Sequence, residues 1–277
     1  RILQQITYCL DYEVLDLKIL LTNDDGVFSE GMKALAQQMA LDNEIVIVAP
    51  DRERSATAHA ITMHKPLRVK KVNISGINAS AWMVNGTPSD CVKLALEALL
   101  DWTPDMVLSG INWGPNLGTD VIYSGTVSAA IEAAISGLPA IAFSVATHRD
   151  VLFDHPARIA RIICNQVAEQ DFPEDTLLNI NIPAVREDEL KGIYITHLGV
   201  RKYKNCFVKR LDPRGREYYW LAGEVIEDLE DVGSDVWAVK NNFISITPIQ
   251  FDLTKYNIID IIKGWNLKLE KKDVNGK

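Results

Sequence analysis

Cysteine is scarce in this chain. The four residues, Cys9, Cys91, Cys164 and Cys206, lie far apart with no C-x-x-C pair. That spacing excludes a disulfide-stapled scaffold and a thiolate zinc site, and it reads as free thiols in a reducing compartment. Long apolar runs are missing as well: no stretch of about 18 apolar residues occurs, so no membrane-spanning helix is expected. Residues 1–17 carry Asp11, Glu13 and Asp16 and lack the basic-then-apolar order of a secretion signal. The expectation is a cytoplasmic protein with an N-terminal extension over residues 1–17. There is no basic surplus: 29 Lys and Arg face 37 Asp and Glu, for a net charge of −8. Such a surface disfavours stable binding to nucleic acid or to an anionic membrane.

Several motifs are also absent. The five histidines (His59, His64, His148, His155, His197) show neither H-E-x-x-H nor any paired zinc spacing. They are expected as ordinary polar or core residues. G-x-S-x-G, G-x-G-x-x-G and the Walker pattern are all lacking, so the esterase, dinucleotide and P-loop readings lose support.

What remains is ordinary globular composition. The chain has 277 residues, 47% hydrophobic and 24% charged, enough to bury one α/β core with an appendage. Short apolar runs alternate with amphipathic stretches as far as residue 195. Strands are expected at Lys18–Thr22, Glu44–Ala49, Asp105–Ser109, Ala140–Ser144 and Leu177–Ile182. Helices are expected from the Ser29 cap to about Ala40, from the Thr87 cap to about Leu100, over Thr126–Ser136 and over Pro156–Ala168. Residues 61–84 read as a hairpin or minor strands. This alternation implies a Rossmann-like, doubly wound, mostly parallel sheet. Beyond it, Asp212-Pro213-Arg214-Gly215-Arg216 is a turn signal, so Tyr203–Leu221 is expected to project as a β-hairpin. Its aromatics (Tyr203, Tyr218, Tyr219, Trp220) are expected mainly to pack, although a base could stack on them. Phe243–Thr247 reads as a last strand, and a short helix is expected in the tail from Lys255 to Lys277. The division is therefore residues 1–17, a core at 18–195, a hairpin and final strand at 196–254, and a tail at 255–277.

Ligands of such sheets bind at the carboxyl ends of the strands, and three polar clusters fall there. Asn23-Asp24-Asp25-Gly26 follows the first strand. Adjacent carboxylates repel one another, and a cation relieves that repulsion. Ser55 lies in the loop after the second strand, with Arg52 and Arg54 placed to meet phosphate. Asn112 opens the glycine-rich run to Gly125. Oxygen ligands alone select a hard ion such as Mg²⁺ or Mn²⁺. The helix beginning near Ser124-Gly125-Thr126 offers free N–H groups and a positive dipole end to an anion. A hard-metal site beside a helix-end anion site suits phosphate-ester hydrolysis.

At these residues the sequence resembles the SurE (survival protein E) family of metal-dependent nucleotidases. The matching strings are Ile19–Gly26, Ala49–Ala56, Asn85–Val92, Ser109–Gly118, Ser124–Ala130, Asp212–Arg216, Ser245–Pro248 and Asp252–Thr254, in order and spacing. The resemblance implies one divalent ion per subunit, held by Asp24, Asp25, Ser55 and Asn112. It implies phosphate contacts from Asn23, Asn116, Ser124, Gly125 and Thr126. It further implies hydrolysis of nucleoside 5′- and 3′-monophosphates by attack of a metal-bound water, with short polyphosphate as a side substrate. In this reading Asp24 orients or deprotonates the water, and Asp25 mainly holds the ion. A homodimer or homotetramer with contacts through the hairpin and C-terminal segment is also implied.

Two other readings stand beside it. A haloacid-dehalogenase-type phosphatase needs an aspartyl nucleophile where Asn23 stands. A receiver-like module would bind Mg²⁺ without turnover.

Overall fold

The computed structural model describes residues 16–147, 149, 152–204 and 206–269. Cys9, His148, the first fifteen residues of the expected extension and the tail from residue 270 lie outside them. The order along the chain begins β1 (Lys18–Thr22), α1 (Glu30–Met39), β2 (Glu44–Pro50), β3 (Val69–Val72), β4 (Ser80–Val84), α2 (Pro88–Leu94) and β5 (Met106–Trp113). It continues with α3 (Gly125–Ile135), β6 (Ala140–Ala146), α4 (Asp154–Ala168), β7 (Thr176–Pro183) and β8 (Ile193–Ile195). Last come β9 (Arg201–Lys204), β10 (Phe207–Leu211), β11 (Glu217–Leu221), β12 (Glu224–Glu227), α5 (Asp235–Lys240), β13 (Ile244–Gln250) and α6 (Ile259–Lys263).

Nine strands form one sheet in the order β3-β4-β2-β1-β5-β6-β7-β13-β8. The central strands pair in parallel, while β3 against β4 and β13 against β7 are antiparallel. This is the expected Rossmann-like α/β architecture. Strand β1 explains its own position: Ile19, Leu20 and Leu21 are fully buried, as a central strand covered on both faces requires. Its residues alternate between two cores. Ile19 and Leu21 join Met32, Leu35 and Phe143 on the α1/α4 side. Leu20 joins Val48, Val92, Val107 and Ala130 on the α2/α3 side. Truncating Leu35 to Ala would cost about 2–5 kcal/mol.

The helix starts follow their caps. The Ser29 hydroxyl accepts from the Met32 N–H, Thr87 and Asp90 form a reciprocal capping box, and Ser124 accepts from the Val127 N–H. Beyond Leu94 the backbone widens into a π-turn over Ala95–Leu99 before the helical segment ends. Strand β5 runs further than expected. It continues through Gly110-Ile111-Asn112-Trp113 because it stays paired with β6, and a register shift between Ser109 and Asn112 absorbs the mismatch.

The projection is larger than a single hairpin. β10 and β11 pair around the Asp212–Arg216 turn, and β9 pairs with β12 beneath them. Arg201, on β9, ties this ribbon to the core through its ion pair with Asp120, while its ion pair with Glu227 links β9 to β12. The expectation that the ribbon's aromatics pack holds only between Tyr218 and Trp220, which meet edge to face at 6.5 Å; Tyr203, Tyr218, Tyr219 and Trp220 are all exposed. No helix among the described residues is long and apolar enough to cross a membrane.

Candidate active site

The carboxyl ends of β1, β2 and β5 meet under the N-terminus of α3. Asn23 to Gly26 form the turn leaving β1. The Asn23 amide spans that turn, donating to the Gly26 carbonyl at 3.0 Å and to the Ser29 hydroxyl at 2.8 Å, while its Oδ1 accepts from the Gly26 N–H. Gly26 has φ +100°, and a Cβ there would meet the Arg52 backbone at 3.2 Å. Only glycine fits both demands without strain. The Val27 N–H donates to the Pro50 carbonyl and the Arg54 N–H to the Asp24 carbonyl, so the acidic turn and the Ser55 loop are held edge to edge.

Asp24 is 4% exposed, and its Oδ1 accepts from the Thr126 hydroxyl at 2.6 Å. Burial pushes its pKa up to about 7; the Thr126 bond opposes the shift and the neighbouring Asp25 adds to it. Asp25 is raised too, again chiefly by burial, while its Oδ2 accepts from the Trp113 N–H at 3.2 Å. Neither carboxylate forms an ion pair with Lys, Arg or His among the described residues. Two adjoining, desolvated and unpaired carboxylates would suit a cation.

The other expected ligands sit at the same end of the sheet. Asn112 donates to the Gly114 carbonyl through Nδ2 at 2.8 Å, and among the described residues its Oδ1 has no hydrogen-bond partner. Ser55 is exposed and its hydroxyl donates to Glu53 at 2.6 Å, so it must rotate to reach an ion. The arginine expectation is half corrected. Arg54 turns inward to Asp51 at 2.9 Å and the Asn85 carbonyl at 3.3 Å, whereas Arg52 stays exposed.

On the anion side, Ser124 caps α3. Gly125 packs so tightly on Asp24 that a Cβ would stand 2.8 Å from the aspartate Cβ. Asn116 is fastened from all sides. Its N–H donates to Asn181 Oδ1 at 2.9 Å, its carbonyl accepts from Asn179 and Asn181, and its own amide donates to Ser144 at 2.8 Å. Ser144, Asn179 and Asn181 were not singled out in the sequence. The signal was Asn179-Ile180-Asn181: two amides at strand spacing inside an apolar run, hence on one face.

A second pair was also missed. His59, beyond Ser55, lies 2.8 Å from buried Glu132 of α3, and Lys93 stands 3.7 Å away. The His59 hydrogen bond holds the Glu132 carboxyl below its usual range against the cost of burial.

Fold and site together define a Rossmann-like α/β protein with an acidic, cation-seeking turn facing a helix-end anion site, an arrangement suited to phosphate esters. The family described as survival protein SurE matches residues 19–205. The chain is 51% identical over 255 residues to the 5′-nucleotidase SurE of Natranaerobius thermophilus, covering 90% of this chain and 98% of that one. It is 53% identical over 248 residues to the 5′-nucleotidase SurE of Pelotomaculum thermopropionicum, covering 89% and 94%. The crystal structure of the Aquifex aeolicus SurE protein superposes with a TM-score of 0.79 at 43% identity, covering 90% of this chain and 99% of that one. The chain belongs to the SurE family.

Proposed function

We propose that this chain is a 5′-nucleotidase that hydrolyses nucleoside monophosphates to nucleoside and phosphate, with one divalent ion, Mg²⁺ or Mn²⁺, bound per subunit. The observation that carries this reading is the unpaired Asp24–Asp25 pair directly under the N-terminus of α3. The relatives named 5′-nucleotidase, at about half identity over nearly all of the chain, support the same conclusion.

Asp24, Asp25, Ser55 and Asn112 would hold the ion, and all four offer the oxygen ligands that a hard cation prefers. Bound there, the ion supplies Lewis-acid polarisation of the phosphoryl group and eases ionisation of water. The rest falls to the chain. The Gly125 and Thr126 N–H groups and the Ser124 cap receive the non-bridging oxygens at the positive helix end. Asn116, fixed by Asn179, Asn181 and Ser144, adds its amide to these contacts. Asn23 shapes the acidic turn and reaches phosphate only by giving up a bond to Gly26 or Ser29. Asp24 takes or orients the proton of the attacking water, and Asp25 chiefly holds charge.

The same grip on the phosphate group would serve 3′-monophosphates and short polyphosphate. We assign this chemistry to residues 18–195, whose sheet β13 completes, and the contacts of a homodimer or homotetramer to the ribbon within residues 196–254, in a cytoplasmic protein. Phosphate release from a panel of nucleoside monophosphates tests the reading, after chelation and then with Mn²⁺ or Mg²⁺ restored. Activity should vanish with the chelator and return with the ion. Folded protein that releases no phosphate with any metal overturns it.

A further inference from the structure

A site that holds only phosphate does not distinguish a nucleotide from other phosphomonoesters, so discrimination requires a surface for the base. Trp113 occupies the right place. It follows Asn112, and its backbone N–H donates to Asp25 Oδ2 at 3.2 Å, so the indole springs from the rim of the acidic site. Its side chain is not a loose surface group. The indole Nε1–H donates to the Arg149 carbonyl at 3.0 Å, which fixes the ring's polar edge. The residue is nevertheless 50% exposed, and no aromatic ring among the described residues stacks on it.

A second exposed aromatic follows the acidic turn. Phe28, 58% exposed, lies on the segment between Asp25 and the Ser29 cap of α1. The first turn of α1, directly after it, abuts the strand carrying Trp113: a Cβ on Gly31 would sit 2.0 Å from the Ile111 carbonyl oxygen. An oriented indole with an open face gives up little conformational freedom when a flat ring settles on it. A nucleoside monophosphate carries its base one sugar away from phosphorus, and Trp113 begins one backbone N–H away from Asp25.

We propose that the Trp113 indole is the platform on which the substrate's base stacks, with Phe28, after the acidic turn, as a second aromatic. This rests on the nucleotidase reading and makes nucleobase recognition a matter of π-face contact. Purines, with the larger ring system, are then preferred over pyrimidines.

Kinetics of wild type, Trp113→Ala and Trp113→Phe with Mn²⁺ test this, using adenosine 5′-monophosphate and ribose 5-phosphate as paired substrates. In Trp113→Ala, kcat/KM for the nucleotide should fall about tenfold or more relative to ribose 5-phosphate, mainly through KM. Trp113→Phe should restore most of that loss. Adenosine, as an inhibitor of ribose 5-phosphate hydrolysis, should weaken in parallel. Equal losses on both substrates, or no loss on either, overturn the platform while leaving the nucleotidase reading intact. Wild-type protein that hydrolyses neither substrate overturns that reading, and the platform with it.

Discussion

Gly125 and Asp24 are packed so closely that a methyl group on the glycine would lie 2.9 Å from the aspartate Oδ2. The helix end and the acidic turn are therefore one unit. Gly125→Ala should push the Asp24 carboxylate off its position and lower kcat by about tenfold to a hundredfold. Calorimetry should show weaker Mn²⁺ binding in the same variant; unchanged kinetics and binding would contradict the coupling.

Thr126→Val keeps the shape and removes the hydroxyl that donates to Asp24. A buried acceptor left without its donor costs about 1–3 kcal/mol. The urea midpoint of the metal-free protein should shift down accordingly, and Thr126→Ser should recover most of the loss.

Asp24 carries a sign-specific pH prediction. Its folded pKa is about 7 against an ordinary value of 3.8. The folded, metal-free protein therefore retains a proton that an unfolded chain has released. The corresponding stability is present in full below the ordinary value and is lost as pH rises through about 7. Thermal unfolding of chelated protein should shift to lower temperature between about pH 5 and about pH 8. Excess Mn²⁺ should counter that decline, because binding requires the deprotonated pair. Parallel melting curves with and without Mn²⁺ across the range would refute it.

His59 and Glu132 bind the loop that carries Ser55 to α3. With the latch cut, His59→Ala should free the loop and weaken Mn²⁺ binding about threefold to tenfold, with little loss of secondary structure. Electron paramagnetic resonance titration of free Mn²⁺ reads this directly. Affinity equal to wild type would leave the pair with no part in metal binding.

The ribbon's exposed Tyr219, Trp220 and Leu221 suit a contact between subunits. Replacing Trp220 and Leu221 by Lys should shift the light-scattering mass towards the monomer. A wild-type protein already monomeric would remove the oligomer proposal.

Much of this was legible in the sequence because local chemistry controlled it. Asp24 and Asp25 announced themselves as two charges ending an apolar run, and Ser29, Thr87 and Ser124 marked their helices by capping. Partners distant in sequence were not legible. Arg54 read as a phosphate ligand, yet Asp51 and the Asn85 carbonyl hold it. Gly110 to Trp113 read as loop, yet pairing with β6 keeps them in a strand. Asn179 and Asn181 looked like ordinary strand residues until Asn116, more than sixty positions away, supplied a reason to bury two amides.

Strand β13 fills an interior slot of the sheet between β7 and β8, although residues 201–227 of the ribbon are made before it. During synthesis, β7 therefore waits as a bare edge, open to the wrong partner, until residues 244–250 leave the ribosome. Asn179 and Asn181 sit on that waiting strand and pair with Thr247 and Ser245. The scaffold behind the phosphate site is thus completed among the last steps of assembly, and a nascent chain stalled within the ribbon would carry its acidic turn without a finished pocket.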